Sequence, residues 1–357
     1  MTEAQVPPAA PGERHLVSHV FNIVVFAVGG VALALLMRRL GLANARRLLS
    51  GVGPWLVVII GLDLCAMACD AAAIHAFMRP EARMVSYFRV LAAQASGRAI
   101  NVLTPGGALG EATKVAMLVG HAPRARIVSS IVLYNLATLY LSVIVLALGV
   151  PLTTLLVDLP REIELIAWIG LAIIVALVIG LAVIVRRGAL ETVLAGARGA
   201  RLVSADRAQR WAAKISDIDH QLRELHADAT PGLRAGSAWI VASRLLSWSA
   251  TTTVLHAVGA PISATLLVGV FSVGILIGWI SSIVPLGVGI ADGGNYALFG
   301  VLGASGAHGV VVTLLGRARS LTVALIGLVV MACAHTATRI TLHRRRLRRH
   351  EGPRYGE

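Results

Sequence analysis

The sequence predicts an all-α fold: a polytopic integral membrane helical bundle with two broken or re-entrant Pro–Gly segments, which raise the question of an internal (inverted) repeat. Three observations predict it. The 357 residues are 57% hydrophobic and only 14% charged. The mean hydropathy is +0.78. Apolar runs of about 20 residues, the length that crosses a bilayer core, recur along the chain. So little polar surface cannot cover a soluble globule, which excludes a cytosolic enzyme. The net charge of +14 comes from 32 Lys and Arg against 18 Asp and Glu, and Lys114 and Lys214 are the only lysines. Arginine in excess suits the cytoplasmic ends of membrane helices and anionic lipid head groups. No zinc-finger, RNA-recognition or helix-turn-helix pattern accompanies it, so no nucleic-acid partner is expected.

Residues 1–16 contain Pro7, Pro8 and Pro11 and predict a disordered N-terminal tail. The first membrane half, 17–185, begins with an apolar run longer than the core of a signal peptide, so a retained helix is expected over 17–37. Further spans are expected over 54–78, 127–150 and 163–185, and in the second half, 235–338, over 237–258 and 308–338. Cys65, Cys69 and Cys333 lie inside apolar stretches, where a thiol behaves as a small hydrophobe. Residues 186–234 turn polar, and Trp211, Ile215, Ile218, Leu222 and Leu225 alternate at spacings of four and three, an amphipathic helix in a connector. The tail over 339–357 carries Arg344, Arg345, Arg346, Arg348 and Arg349. The positive-inside rule places this tail and the connector in the cytoplasm. The side of the N-terminus stays open, because Arg38, Arg39, Arg46 and Arg47 and the count of spans point in opposite directions.

Two apolar regions, 86–118 and 262–304, are interrupted. The first reads Pro105-Gly106-Gly107-Ala108-Leu109-Gly110-Glu111, the second Pro285-Leu286-Gly287-Val288-Gly289-Ile290-Ala291-Asp292. Proline and clustered glycine break helices. Each cluster ends in an acid, a weak internal repeat of the kind that marks midplane binding sites in transporters. Unwound backbone there would offer N–H groups and a positive half-helix end to a phosphate or carboxylate. Ionisable groups inside membrane segments cost about 2.5 to 3.5 kcal/mol each, so they tend to face a bundle interior or a wet cavity. Such groups are Asp63 and Asp70, seven apart on one helix face, with Arg98, Glu111, Lys114, Arg244, Asp292, Arg317 and Arg319. They serve either a polar cavity or pairing between helices, above all for Asp63 and Asp70. Tyr134, Asn135 and Thr138 form a small polar face suited to interhelical hydrogen bonds. His75, His256 and His335 stand near helix ends as satisfied or interfacial histidines, and no metal or cofactor is expected.

The spacing Arg98-x-x-Asn101-x-x-x-Pro105-Gly106-Gly107-x-x-Gly110-Glu111-x-x-Lys114, answered late by Pro285-x-Gly287-x-Gly289-x-x-Asp292, resembles the transmembrane domain of the lysylphosphatidylglycerol synthase family, also called the flippase-like family. The resemblance covers roughly 17–338. The second motif departs from the usual pattern by Leu286 in place of Gly and Asp292 in place of Glu. The resemblance implies membrane passage of a lipid or lipid-linked molecule: an anionic or aminoacylated phospholipid, a hopanoid or a polyprenyl-linked substrate. It does not imply synthesis, because the transferase of the full-length synthases is a separate soluble domain, for which the segment after the last helix is too short.

The expectation is therefore a lipid flippase or transporter of the bacterial inner membrane, not an enzyme, with a homo-oligomer left open. The two Gly-rich breaks would supply exposed backbone. Arg98, Lys114 and Arg317 would attract a phosphate, and Glu111 and Asp292 would pair with those cations or take up protons. No Walker A pattern, H-E-x-x-H or G-x-S-x-G occurs, which speaks against ATP hydrolysis and the common hydrolytic sites. A membrane-embedded lipid-modifying enzyme and a secondary transporter of a small anion remain as alternatives.

Overall fold

The structure, a computed structural model, describes residues 53, 55–104, 108–187, 231–281 and 290–350. The expected tail over 1–16, the span over 17–37 and the amphipathic face from Trp211 to Leu225 lie outside the described residues. Within them every regular element is helical. Five stretches are long and apolar enough to cross a membrane: Trp55–Phe77, Arg124–Leu156, Arg161–Gly180, Ala264–Ser281 and Gly306–Cys333. The chain is a multi-pass membrane protein with an all-α bundle.

Helix α1 (Trp55–Phe77) is apolar throughout, yet buries Asp63 and Asp70 on one face. Its end is tied to the following 3-10 turn, Glu81–Met84: His75 Nε2 lies 3.1 Å and 3.0 Å from the carbonyl oxygens of Ala82 and Val85. Helix α2 (Tyr87–Leu103) starts beside it, where the Tyr87 hydroxyl donates to the Ala68 carbonyl. It stops at Thr104, whose side chain turns back onto the Ile100 carbonyl at 2.7 Å. Helix α3 (Ala108–Leu118) then folds against α2 as a hairpin. Helix α4 (Arg124–Leu156) has 33 residues, about 50 Å, which exceeds the hydrocarbon thickness and carries both ends past it. Helix α5 (Arg161–Arg187) follows. Large apolar side chains on both, among them Ile144, Leu148, Leu165, Ile169, Ile173 and Leu177, are exposed, as a face against lipid acyl chains requires.

Helix α6 (Pro231–Ala257) packs along α1, with the Phe77 ring seated against Gly236. The span expected over 237–258 is thus a helix, but not one of the stretches apolar enough to cross a membrane by composition. Arg234, Arg244 and the Ser and Thr residues from Ser243 to Thr253 lower its hydropathy, and burial against α1 keeps it helical. Helices α7 (Ala264–Phe271) and α8 (Val273–Ser281) form one span interrupted at the buried Ser272. The Ser272 hydroxyl meets Thr153 of α4 at 2.9 Å. Helix α9 (Ile290–Val301) packs on α8, and α10 (Gly306–His350) runs on through the arginine-rich segment expected as a tail from 339. Small residues set the crossing of α10 with α2: Gly327 faces Ala95 and Ala99.

Two large apolar cores and two smaller clusters result among the described residues. One large core joins α1 to α4 and α6 around Ile74, Phe77, Ile131 and Ile240. The other large core joins α4 to α9 around Leu146, Leu255, Leu266, Leu276 and Phe299.

Candidate functional site

The first Pro–Gly cluster separates α2 from α3, which end and begin at Leu103 and Ala108; Pro105, Gly106 and Gly107 themselves lie outside the described residues. The hairpin closes tightly because Gly97 and Gly110 have no side chains. A Cβ on Gly110 would overlap the Gly97 carbonyl oxygen and the Asn101 side chain. Asn101 Oδ1 instead accepts the Gly110 N–H at 2.8 Å, while its amide donates to Glu111 at 3.3 Å. Glu111 is the hub of the cluster. Its Oε1 meets Lys114 Nζ at 2.7 Å, and its Oε2 accepts from Asn135 of α4 at 3.0 Å. Lys114 is only 4% exposed and also lies over the Tyr134 ring at 5.6 Å. Tyr134 is beside Asp70, which Arg98 reaches at 3.9 Å. The structure thus brings Arg98, Asn101, Gly110, Glu111 and Lys114 together at one hairpin.

The second cluster falls between Ser281 and Ile290; Pro285, Gly287 and Gly289 lie outside the described residues. Asp292, in the first turn of α9, pairs with Arg317 of α10 at 2.8 Å. One turn further on, Asn295 donates to the Thr313 hydroxyl at 2.8 Å. Asp292 and Arg317 therefore meet on a different helix pair from the first set.

A third arrangement joins helices distant in sequence. Asp63, 1% exposed, has its Oδ2 at 2.6 Å from Arg319 Nε of α10. This is a charge contact off the hydrogen-bond axis, since neither carboxylate oxygen of Asp63 has a hydrogen-bond partner among the described residues. Arg319 in turn helps to line a cavity of about 400 Å³ bounded by α4, α6, α7, α8, α9 and α10. Its polar wall is Ser142, Arg244, Ser247, Thr251, Asn295 and Arg319, and its apolar wall includes Trp248, Phe271, Ile275, Trp279, Phe299 and Val312. The Nε of Arg244 is buried and lacks a hydrogen-bond partner among the described residues. A volume in the range of small-ligand sites, with an apolar body and a few converging polar groups, is the form a ligand pocket takes.

Of the motif residues expected at the site that the structure describes, Arg98, Asn101, Gly110, Glu111, Lys114, Asp292 and Arg317, none lines this cavity, although Asp292 stands one helical turn from Asn295. Arg244 and Arg319 were visible as ionisable groups in later helices, but not as a shared wall. One signal was available: Arg244, Ser247, Trp248 and Thr251 follow one another at i, i+3, i+4 and i+7, a polar and aromatic stripe on α6. His75 and Asn135 have the hydrogen-bonding roles expected of them, and His256 packs edge-on against Trp55.

No curated protein and no solved structure matches the chain. The family described as lysylphosphatidylglycerol synthase TM region matches residues 22–327. That match runs through both halves of the bundle and both Pro–Gly clusters, and the chain belongs to the lysylphosphatidylglycerol synthase TM region family.

Proposed function

We propose that this protein is a transporter of the bacterial inner membrane that moves an amphipathic lipid, with an anionic or aminoacylated head group, between leaflets. The observation that carries this reading is the cavity of about 400 Å³ inside an apolar bundle, where two guanidinium groups face a wall of indole and phenyl rings. An amphiphile needs both surfaces at once: a cation for its phosphate and an apolar wall for its glycerol and upper acyl carbons. The polar wall consists of guanidinium, hydroxyl and amide groups, which bind an anion without exchanging protons near neutral pH. That composition favours carriage over chemistry on the substrate. The connector and the arginine-rich end of α10 face the cytoplasm in this reading, where basic residues meet anionic lipid.

Purified protein reconstituted in liposomes tests the proposal. A fluorescent phosphatidylglycerol placed in both leaflets should become fully accessible to an outside quencher, with the lipid's mass unchanged. Accessibility equal to that of protein-free liposomes would overturn transport. A changed lipid mass would show a membrane-embedded enzyme instead.

A further inference from the structure

We infer that Asp63 is a proton site that couples occupation of the cavity to proton uptake through Arg319, the cation it shares with the ligand. The inference rests on the transport reading only in taking the cavity as the binding site, and adds to it a source of coupling.

The contact between Asp63 and Arg319 has two unlike ends. Both carboxylate oxygens of Asp63 are buried, and neither has a hydrogen-bond partner among the described residues. Arg319, whose Nε lies 2.6 Å from Asp63 Oδ2, keeps 20% side-chain exposure and lines the cavity, and none of its nitrogens is both buried and unpartnered. Its guanidinium thus has the cavity on one side and a built-in anion on the other. The guanidiniums that act on Asp63 are Arg319 of α10 and Arg98 of α2, and Arg98 also faces Asp70, the other acid of α1, at 3.9 Å. Tyr134 of α4 and Arg244 of α6 act on one another beside Asp70. Arg317 of α10 is bound to Asp292, and Glu81, in the turn after α1, is bound to Arg126. Among the described residues, Asp63 is the carboxylate that acts on Arg319. Buried carboxylates are commonly satisfied by hydrogen bonds; at Asp63 nearby guanidiniums alone compensate the charge.

An anionic oxygen group in the cavity, a phosphate on a lipid or one free in solution, competes with Asp63 for the same guanidinium. While Asp63 is ionised, its charge offsets that of Arg319 and the anion gains little. When an Asp63 oxygen takes a proton from water, a neutral carboxylic acid remains in the dry interior and the charge of Arg319 turns to the ligand. An ion pair with the carboxylate is exchanged for one with the phosphate, and Arg319 keeps its own protons throughout. Linkage makes the effect reciprocal: protonation of Asp63 tightens the anion, and the anion favours protonation by the same factor. An anionic group that enters therefore draws at most one proton with it, and its departure releases that proton. The exchange depends on the anionic group alone, so it holds for a head group with or without an ammonium.

Binding to the detergent-solubilised full chain tests this, with phosphatidylglycerol as the probe and dimethyl phosphate as its soluble counterpart. Both are phosphodiesters and stay singly charged from mildly acidic to mildly alkaline pH. A pH-indicator dye in weakly buffered solution should record proton uptake when phosphatidylglycerol is added. Its affinity should rise as pH falls, by up to about tenfold per pH unit where Asp63 titrates. Asp63→Asn should bind the lipid about tenfold more tightly at neutral pH, one charge contact's worth, and lose the uptake and most of the pH dependence. Arg319→Gln should weaken binding and abolish the uptake. No uptake by the unaltered protein at any pH would overturn the coupling. Undiminished uptake by Asp63→Asn would overturn the assignment to Asp63, and binding no tighter than that of the unaltered protein would overturn the competition for Arg319. If Asp63→Asn fails to fold, Asp63→Ser is the second neutral variant, and uptake by the unaltered protein still decides the coupling. Dimethyl phosphate that matches the lipid in affinity and uptake would support the coupling and make its source a soluble anion. Leaflet exchange separates the two claims: exchange without proton uptake keeps the transport reading and loses this inference, and uptake without exchange does the reverse.

Discussion

The two Pro–Gly breaks share a motif and differ in what they build. In both, the acid that follows the break reaches forward to the next long helix: Glu111 receives Asn135, 24 residues on, and Asp292 receives Arg317, 25 residues on. The contacts repeat as the sequence does. The packing does not. At the first break, Gly97 and Gly110 let α2 and α3 touch backbone to backbone, and Asn101 and Lys114 are drawn into the seam. At the second, α8 and α9 meet through side chains such as Ile277 against Gly294, and their other faces, with Ile275, Trp279, Asn295 and Phe299, line the cavity. One break makes a clamp and the other makes a wall. Paired glycines facing each other across the first hairpin close it, whereas at the second Gly294 meets the Ile277 side chain.

The sharpest way to break this comparison is at the hub of the clamp. Glu111→Gln leaves Lys114 buried with its countercharge gone. Removing one partner of a buried pair costs about 3 to 5 kcal/mol, and because the Glu111 side chain keeps 30% exposure the lower end applies, about 3 kcal/mol. The melting temperature of the detergent-solubilised protein reads this directly. Glu111→Gln combined with Lys114→Met should recover most of the loss, since removing both charges leaves neither stranded. A double variant no more stable than Glu111→Gln alone would mean that Asn101 and Asn135, not the charge pair, carry the hub.

Gly110→Ala tests the seam itself. The new methyl would meet the Gly97 carbonyl, which is backbone and cannot rotate away, and also the Asn101 side chain. Overpacking of this kind costs about 2 to 3 kcal/mol. The same thermal measurement should show a clear fall. Stability unchanged by Gly110→Ala would mean that α2 and α3 stand further apart than a clamp allows.

What the sequence discloses follows from what is local. Seven residues are two helical turns, so the shared face of Asp63 and Asp70 could be read directly, and both are buried on α1. Glu111 and Lys114, three apart, are neighbours on any helix, and the Pro–Gly runs announce where helices stop. The spans α1, α4, α5 and α10 are apolar enough to be found by length alone. Pairing across the bundle is different. Nothing near Asp63 in the chain names Arg319 as its partner, and nothing near Arg244 indicates that its Nε lacks one among the described residues. These facts depend on how α1, α6 and α10 pack, which composition does not encode. Helix α6 is the clearest case: an apolar count suggests a membrane span, whereas its polar stripe instead turns to α1 and the cavity.

The smallest expected effect sharpens the comparison from the other side. Gly293 and Gly300 lie on α9, and a Cβ on either would meet none of the described residues within 4 Å. If the second break were also a clamp, glycine would be required on this helix for close approach, as it is at Gly110. If α9 is a wall, these glycines are ordinary helix residues that raise the entropy of the unfolded chain. Gly293→Ala and Gly300→Ala should then leave the melting temperature unchanged or raise it, by no more than about 1 kcal/mol each in stability, the helix-propensity gain of alanine over glycine. Gly294→Ala supplies the contrast within the same turn, because its methyl would press on the Ile277 Cγ2 methyl at 2.8 Å, a side-chain atom that must shift where the Gly97 carbonyl at Gly110 is backbone. The order expected is a loss at Gly110, a smaller loss at Gly294, and none at Gly293. A loss at Gly293 as large as that at Gly110 would make the two hairpins alike and remove the distinction between clamp and wall.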